Sequence, residues 1–180
     1  MGKEELVLGL FFNEPTKHWH FEEVLGAAGI SRPQAARWLH KFIREGLVLR
    51  LKPRQKMPYY VSNYENPSYQ SKKRLFALNE LEKEGFLGHL AGLQKAHAVV
   101  LFGSFSRWDW HAESDIDVFI YGDTKGFEHE RFRGKLHREI ETVVCKDVAA
   151  LRRLQPALLR NILEGYVVKG ALDFVRVTHA

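Results

Sequence analysis

The spacing of apolar side chains changes period along the chain, and each change predicts a different element. Glu4 to Phe12 is apolar at helical spacing and ends at Asn13-Glu14-Pro15, because proline cannot continue a helix. His20 to Ala28 predicts a second short helix, with Gly29 as its carboxy-terminal cap. Ser31 followed by Gln34 is a capping-box spacing, and Pro33 is tolerated in a first helical turn. The helix so begun is expected to reach Glu45 and stop at Gly46, with Ala36, Leu39 and Ile43 at core spacing. Period-2 segments follow at Leu47–Leu51 and Pro58–Val61, joined by the polar turn Lys52–Lys56.

Beyond a turn-rich junction, Asn63–Ser68, a charged helix is expected over Ser68–Glu84 with Leu75, Leu78 and Leu81 inward. A second helix follows from Phe86 to about Leu93. Ala98–Phe102 is continuously apolar, suited to a buried strand, and Ile116–Tyr121 is another. A helix over Phe127–His137 then leads to a strand in which Glu139 and Glu141 share one face and Ile140, Thr142 and Val144 the other. These elements predict an α+β (α/β) protein in two domains, 1–64 and 65–180.

Charge sharpens the division. The chain has 27 Lys+Arg against 22 Asp+Glu, a net +5. Residues 31–60 alone carry +7, leaving −2 for the rest. Such a block predicts a surface facing a polyanion, although a solvated basic face carries the same signature. The single Cys145 excludes a disulfide framework and a cysteine-rich zinc site. No apolar run reaches the length of a membrane span, and the first five residues do not resemble a signal peptide, so a soluble, cytoplasmic protein is expected.

Three helices and a basic-tipped hairpin, with Gly29-Ile30-Ser31-Arg32-Pro33-Gln34 leading through Leu39 to Glu45-Gly46-Leu47-Val48, resemble a winged helix-turn-helix over about the first 62 residues. Arg37, Lys41 and Arg44 recur at i, i+4 and i+7 as one basic stripe. In a DNA complex, Gln34 and Arg37 would approach base edges, while Lys41, Arg44, Arg54 and Lys56 would meet the polyanion. A small domain of this kind also serves in protein contacts or dimerisation, and a homodimer would suit paired half-sites.

The chemistry concentrates after residue 97. The apolar strand ends at Gly103-Ser104, where a glycine permits close approach of a phosphate and a starting helix offers free N–H groups. Ser104 adds a hydroxyl and Arg107 a cationic fork. Asp115 and Asp117 lie two apart at the start of the next strand, on one face. Paired carboxylates repel unless a cation lies between them, and Mg²⁺ (or Mn²⁺) prefers such oxygen ligands together with substrate phosphates.

Gly103-Ser104-x-Ser106-Arg107 followed by Ser114-Asp115-Ile116-Asp117 resembles the signature of the DNA polymerase β-type nucleotidyltransferases, and the short chain resembles their minimal members. The likeness covers about residues 86–172. It implies a mixed sheet flanked by helices and an NTP donor, with ATP the expected nucleotide. Gly103, Ser104, Ser106 and Arg107 are then expected at the nucleotide. It also implies three carboxylates on a divalent metal: Asp115, Asp117 and a third from the later strand. Glu141 is the expected third acid and Glu139 the second choice. In the family the residue after Arg107 is usually Gly; here it is Trp108, with Trp110 close by, and neither is assigned a site role.

The reaction so implied transfers a nucleoside monophosphate to a hydroxyl acceptor and releases pyrophosphate. The competing reading is a DNA-binding regulator or antitoxin that uses the transferase fold as a nucleotide sensor or partner surface. Minimal nucleotidyltransferases often work beside a HEPN-domain toxin, some by modifying it, so the resemblance implies a HEPN-type partner as one acceptor class, with RNA and a small molecule such as an aminoglycoside equally open.

Overall fold

The computed structural model describes residues 2–172. In chain order the elements are α1 (Lys3–Asn13), α2 (Phe21–Ala28), α3 (Arg32–Arg44), β1 (Val48–Leu51), β2 (Tyr59–Ser62), α4 (Pro67–Lys83) and α5 (Phe86–Ala91). There follow β3 (Ala96–Phe102), α6 (Gly103–Ser106), β4 (Ile116–Gly122), α7 (His129–Leu136), β5 (Ile140–Cys145), α8 (Val148–Leu151), α9 (Pro156–Leu163) and β6 (Tyr166–Lys169). The chain forms two compact units. Among the described residues, one comprises 2–73 with Trp110–Ala112; the other comprises Arg74–Asp109 with 113–172.

In the first unit, three helices precede an antiparallel β1–β2 hairpin, and Trp19 pairs with Tyr60 beside it. Gly29 closes α2 in the left-handed region, φ 58°, as its position after the apolar run requires. The Ser31 amide donates to Gln34 Oε1 at 3.2 Å, forming the return half of the expected capping box. The buried face of α3 is Ala35, Trp38, Leu39 and Phe42. Ala36 is exposed and Ile43 is 37% exposed, so the expected core register is corrected by about one residue. The reason is Trp38 and Phe42, whose larger apolar area outweighs the smaller side chains in setting the helix rotation.

On α4 the buried positions are Tyr69, Lys73, Ala77 and Leu81. Leu75, expected inward, is 66% exposed. Tyr69 OH and Ser62 Oγ both donate to the Phe11 carbonyl, at 3.1 and 2.7 Å, closing the core of the first unit with polar contacts.

The second unit is a four-stranded mixed sheet, ordered β5-β4-β3-β6 and flanked by helices. β4 pairs antiparallel with β3 and parallel with β5; β6 is antiparallel to β3. β3 is apolar nearly throughout because it is central and covered, with Ala98 to Leu101 fully buried. One sheet face packs Val100, Phe102, Phe119 and Cys145 against Leu151 and Ile162 of α8 and α9. On the other elements of this unit, Phe86 of α5 and Phe132 of α7 meet ring to ring at 5.1 Å.

Candidate functional site

The buried strand β3 ends where Phe102 pairs with Asp117, and Asp117 in turn pairs with Glu141 across the parallel β4–β5 ladder. Residues directly opposite on neighbouring strands share a sheet face, so Asp117 and Glu141 emerge side by side at its edge. The same face continues inward as Phe119 and Val143, then Tyr121 and Cys145, where α8 and α9 cover it. Glu141 therefore shares a face that is apolar farther along the strand.

Gly103 follows at once with φ 69°, and a Cβ built there would lie 1.9 Å from Asp117 Oδ2. The chain turns against the carboxylate itself, which only glycine permits. α6 is a single turn, so what it offers a phosphate is individual N–H groups rather than the macrodipole of a long helix. Ser104 is half-buried at this turn. Ser106 lies beneath it, 2% exposed, with its hydroxyl donating back to the Gly103 carbonyl at 2.9 Å. Its visible part is to hold the turn.

Arg107 closes the segment. Its Nε and Nη2 donate to the two oxygens of Asp109 at 3.1 and 3.0 Å, and this fork raises its pKa further. Asp117 is lifted above the ordinary carboxylate range, pushed up to about 6 by partial burial and then by the neighbouring Glu141 and Asp115, with Arg107 opposing. Glu141, Asp115 and Arg107 thus all act on the Asp117 carboxylate. Glu139 is placed differently: its carboxylate lies 3.4 Å from Arg133 Nη1, and its main-chain carbonyl accepts from the Ile116 amide at 2.9 Å.

Among the described residues, no three His, Cys, Asp or Glu side chains are gathered closely enough, as they stand, to hold a metal ion. The donor set nonetheless fits a hard divalent cation. It is oxygen only, and Asp117 carries the cost of like charges that such an ion would relieve. Asp115 and Glu141 are exposed.

Residues 89–170 match the family model described as Polymerase beta, Nucleotidyltransferase. The match spans β3 through β6 and bears out the nucleotidyltransferase likeness for this part of the chain. No curated protein and no solved structure matches the chain. The matched segment contains the Gly103 turn, Arg107, Asp115, Asp117 and Glu141. Trp108 is half-buried in it; Trp110 is 2% exposed and packs edge-on against Phe12 in the first unit, ring centroids 6.3 Å apart.

The expected nucleic-acid residues of the first unit divide into two sets. Arg37, Arg44, Arg54 and Lys56 are exposed. Lys41 Nζ instead reaches Glu4 Oε1 at 2.6 Å, and Gln34 is engaged at the helix cap by the Ser31 amide and hydroxyl, both at 3.2 Å. Periodicity placed the stripe, but neither local commitment was visible in it. Among the described residues, no helix is long and apolar enough to cross a membrane.

Proposed function

We propose that the chain is a divalent-metal-dependent nucleotidyltransferase that passes a nucleoside monophosphate from an NTP, ATP foremost, to a hydroxyl acceptor. The observation that carries this reading is Asp117 paired in register with Glu141 and pressed against the Gly103 turn. Asp115, Asp117 and Glu141 would hold Mg²⁺. When bound, the ion supplies charge neutralisation at the triphosphate and lowers the pKa of an attacking hydroxyl. The Gly103 and Ser104 amides, the Ser104 hydroxyl and Arg107 bind the β- and γ-phosphates, and Ser106 keeps the turn in shape. Glu141, exposed and on the strand beside Asp117, accepts the proton of the acceptor hydroxyl. Positioning and electrostatics do most of the work.

The test is transfer of label from [α-³²P]ATP in the presence of Mg²⁺ and candidate acceptors, HEPN-domain proteins among them. Asp115→Asn with Asp117→Asn abolishes transfer on this reading; undiminished transfer in the double variant refutes it.

A second activity is favoured by the exposed cations Arg37, Arg44, Arg54 and Lys56. We read the first unit as a winged helix whose basic helix and hairpin tip meet DNA, placing the transferase in a regulator or antitoxin. Stoichiometric ATP binding without transfer, together with sequence-specific DNA binding, would make regulation the main role.

A further inference from the structure

Within the second unit, Arg138 lies between His137, which caps α7 in the left-handed region at φ 51°, and β5. Its side chain is half-buried, and burial pulls its pKa below the usual arginine value against the opposing charges of Glu113 and Asp115. An arginine nevertheless keeps its charge in a protein, so contacts have to offset the hydration it loses. Two such contacts are present. Arg138 Nη1 donates to the Ser114 carbonyl at 2.9 Å, one residue before Asp115. The guanidinium carbon also lies 4.8 Å from the centroid of the Phe105 ring, within reach of a cation–π interaction. Phe105 is 4% exposed and belongs to the α6 turn, between Ser104 and Ser106. The β4–β5 ladder starts at Ile116, whose amide donates to the Glu139 carbonyl at 2.9 Å, so Asp115 lies just outside it.

We infer that Arg138 is a positioning residue for the divalent metal: it ties the backbone in front of Asp115 and the Phe105 ring of the Gly103 turn to the strand that carries Glu141. The three segments that bear the site's residues are thereby held in one arrangement by a single side chain. The inference rests on the transferase reading above for its purpose, but the tie is measurable without activity. A bare charge at this place would act in the opposite sense. A cation beside Asp115 repels a second cation, so removing it would tighten metal binding. Removing a support for Asp115 weakens metal binding instead. The two roles differ in sign.

Two readouts on the full chain test this: hydrogen exchange, and the Kd for Mn²⁺ without nucleotide. Arg138→Met, which keeps the apolar stem, is expected to weaken Mn²⁺ binding about tenfold and to speed exchange in both 103–107 and 113–117. Arg138→Lys, which keeps the charge and a donor, should recover most of the affinity. A residue that only packs would lower the melting temperature and leave the Kd alone. Mn²⁺ binding by Arg138→Met as tight as the wild type's, or tighter, therefore overturns the inference. So does an affinity in Arg138→Lys no better than in Arg138→Met. If Arg138→Met fails to fold, Arg138→Gln takes its place under the same criteria. If the wild type binds no Mn²⁺, the transferase reading fails, and exchange alone decides the tie. Acceleration in both 103–107 and 113–117 upholds it, and anything less, such as acceleration confined to 136–141, rejects it.

Discussion

Asp117 Oδ2 lies 1.9 Å from where Gly103 would carry a Cβ. The Gly103 turn and the Asp117 carboxylate are therefore one steric unit, and neither can be altered alone. Gly103→Ala must displace the Asp117 carboxylate as well as accept a left-handed φ of 69°, which alone costs about 1 kcal/mol for a residue with a side chain. The expected outcome is a lower melting temperature together with at least a tenfold, order-of-magnitude weakening of Mg²⁺–nucleotide binding by calorimetry. Melting loss with full retention of binding would separate the two residues functionally.

Asp117→Asn should have opposite effects on stability and function. Partial burial and two neighbouring carboxylates disfavour the Asp117 charge, so a neutral isostere relieves the metal-free fold. In chelator, urea unfolding should show the variant equal to or more stable than the wild type, by roughly 1 kcal/mol once solvent screening is allowed for. With Mg²⁺ added, only the wild type should gain stability.

Alkaline stability should follow Tyr69. Burial pushes its phenol from 10.0 up to about 12, with the neighbouring Ser62 hydroxyl opposing. A folded-state pKa above the unfolded one means the contribution is complete below pH 10 and is lost as pH rises through 12. Up to about 3 kcal/mol is at stake over that window. Tyr69→Phe should flatten the dependence at modest cost near neutrality, since the Phe11 carbonyl keeps its bond from Ser62. Denaturant melts at pH 9 and 11 measure it.

Duplex DNA binding, followed by mobility shift against salt, should distinguish the basic residues by their present commitments. Arg37→Ala with Arg44→Ala should weaken binding and reduce the log–log salt slope by about 2. Lys41→Ala, removing a side chain already paired with Glu4, should alter the slope less.

Much of this was legible in the sequence, for local reasons. The apolar run of β3, the Gly103 turn and the spacing of Asp115 and Asp117 each encode geometry within a few residues. The parallel pairing that sets Glu141, rather than Glu139, beside Asp117 depends on strand register across the α7 connection, which alternation alone leaves open by two residues. Lys73 was hidden for a similar reason. Its partner is a backbone carbonyl thirty-seven residues away, and a lysine on a charged helix reads as solvated. Leu75 misled in the opposite sense, because α4 buries Tyr69 and Leu81 and turns Leu75 outward.

The most direct measurement of the central claim is Mn²⁺ binding, followed by electron paramagnetic resonance with α,β-methylene-ATP present. Saturable binding by the wild type and by Glu139→Gln, lost in Asp115→Asn with Asp117→Asn and weakened in Glu141→Gln, is the predicted result. Equal Mn²⁺ binding by the wild type and the double aspartate variant would contradict it.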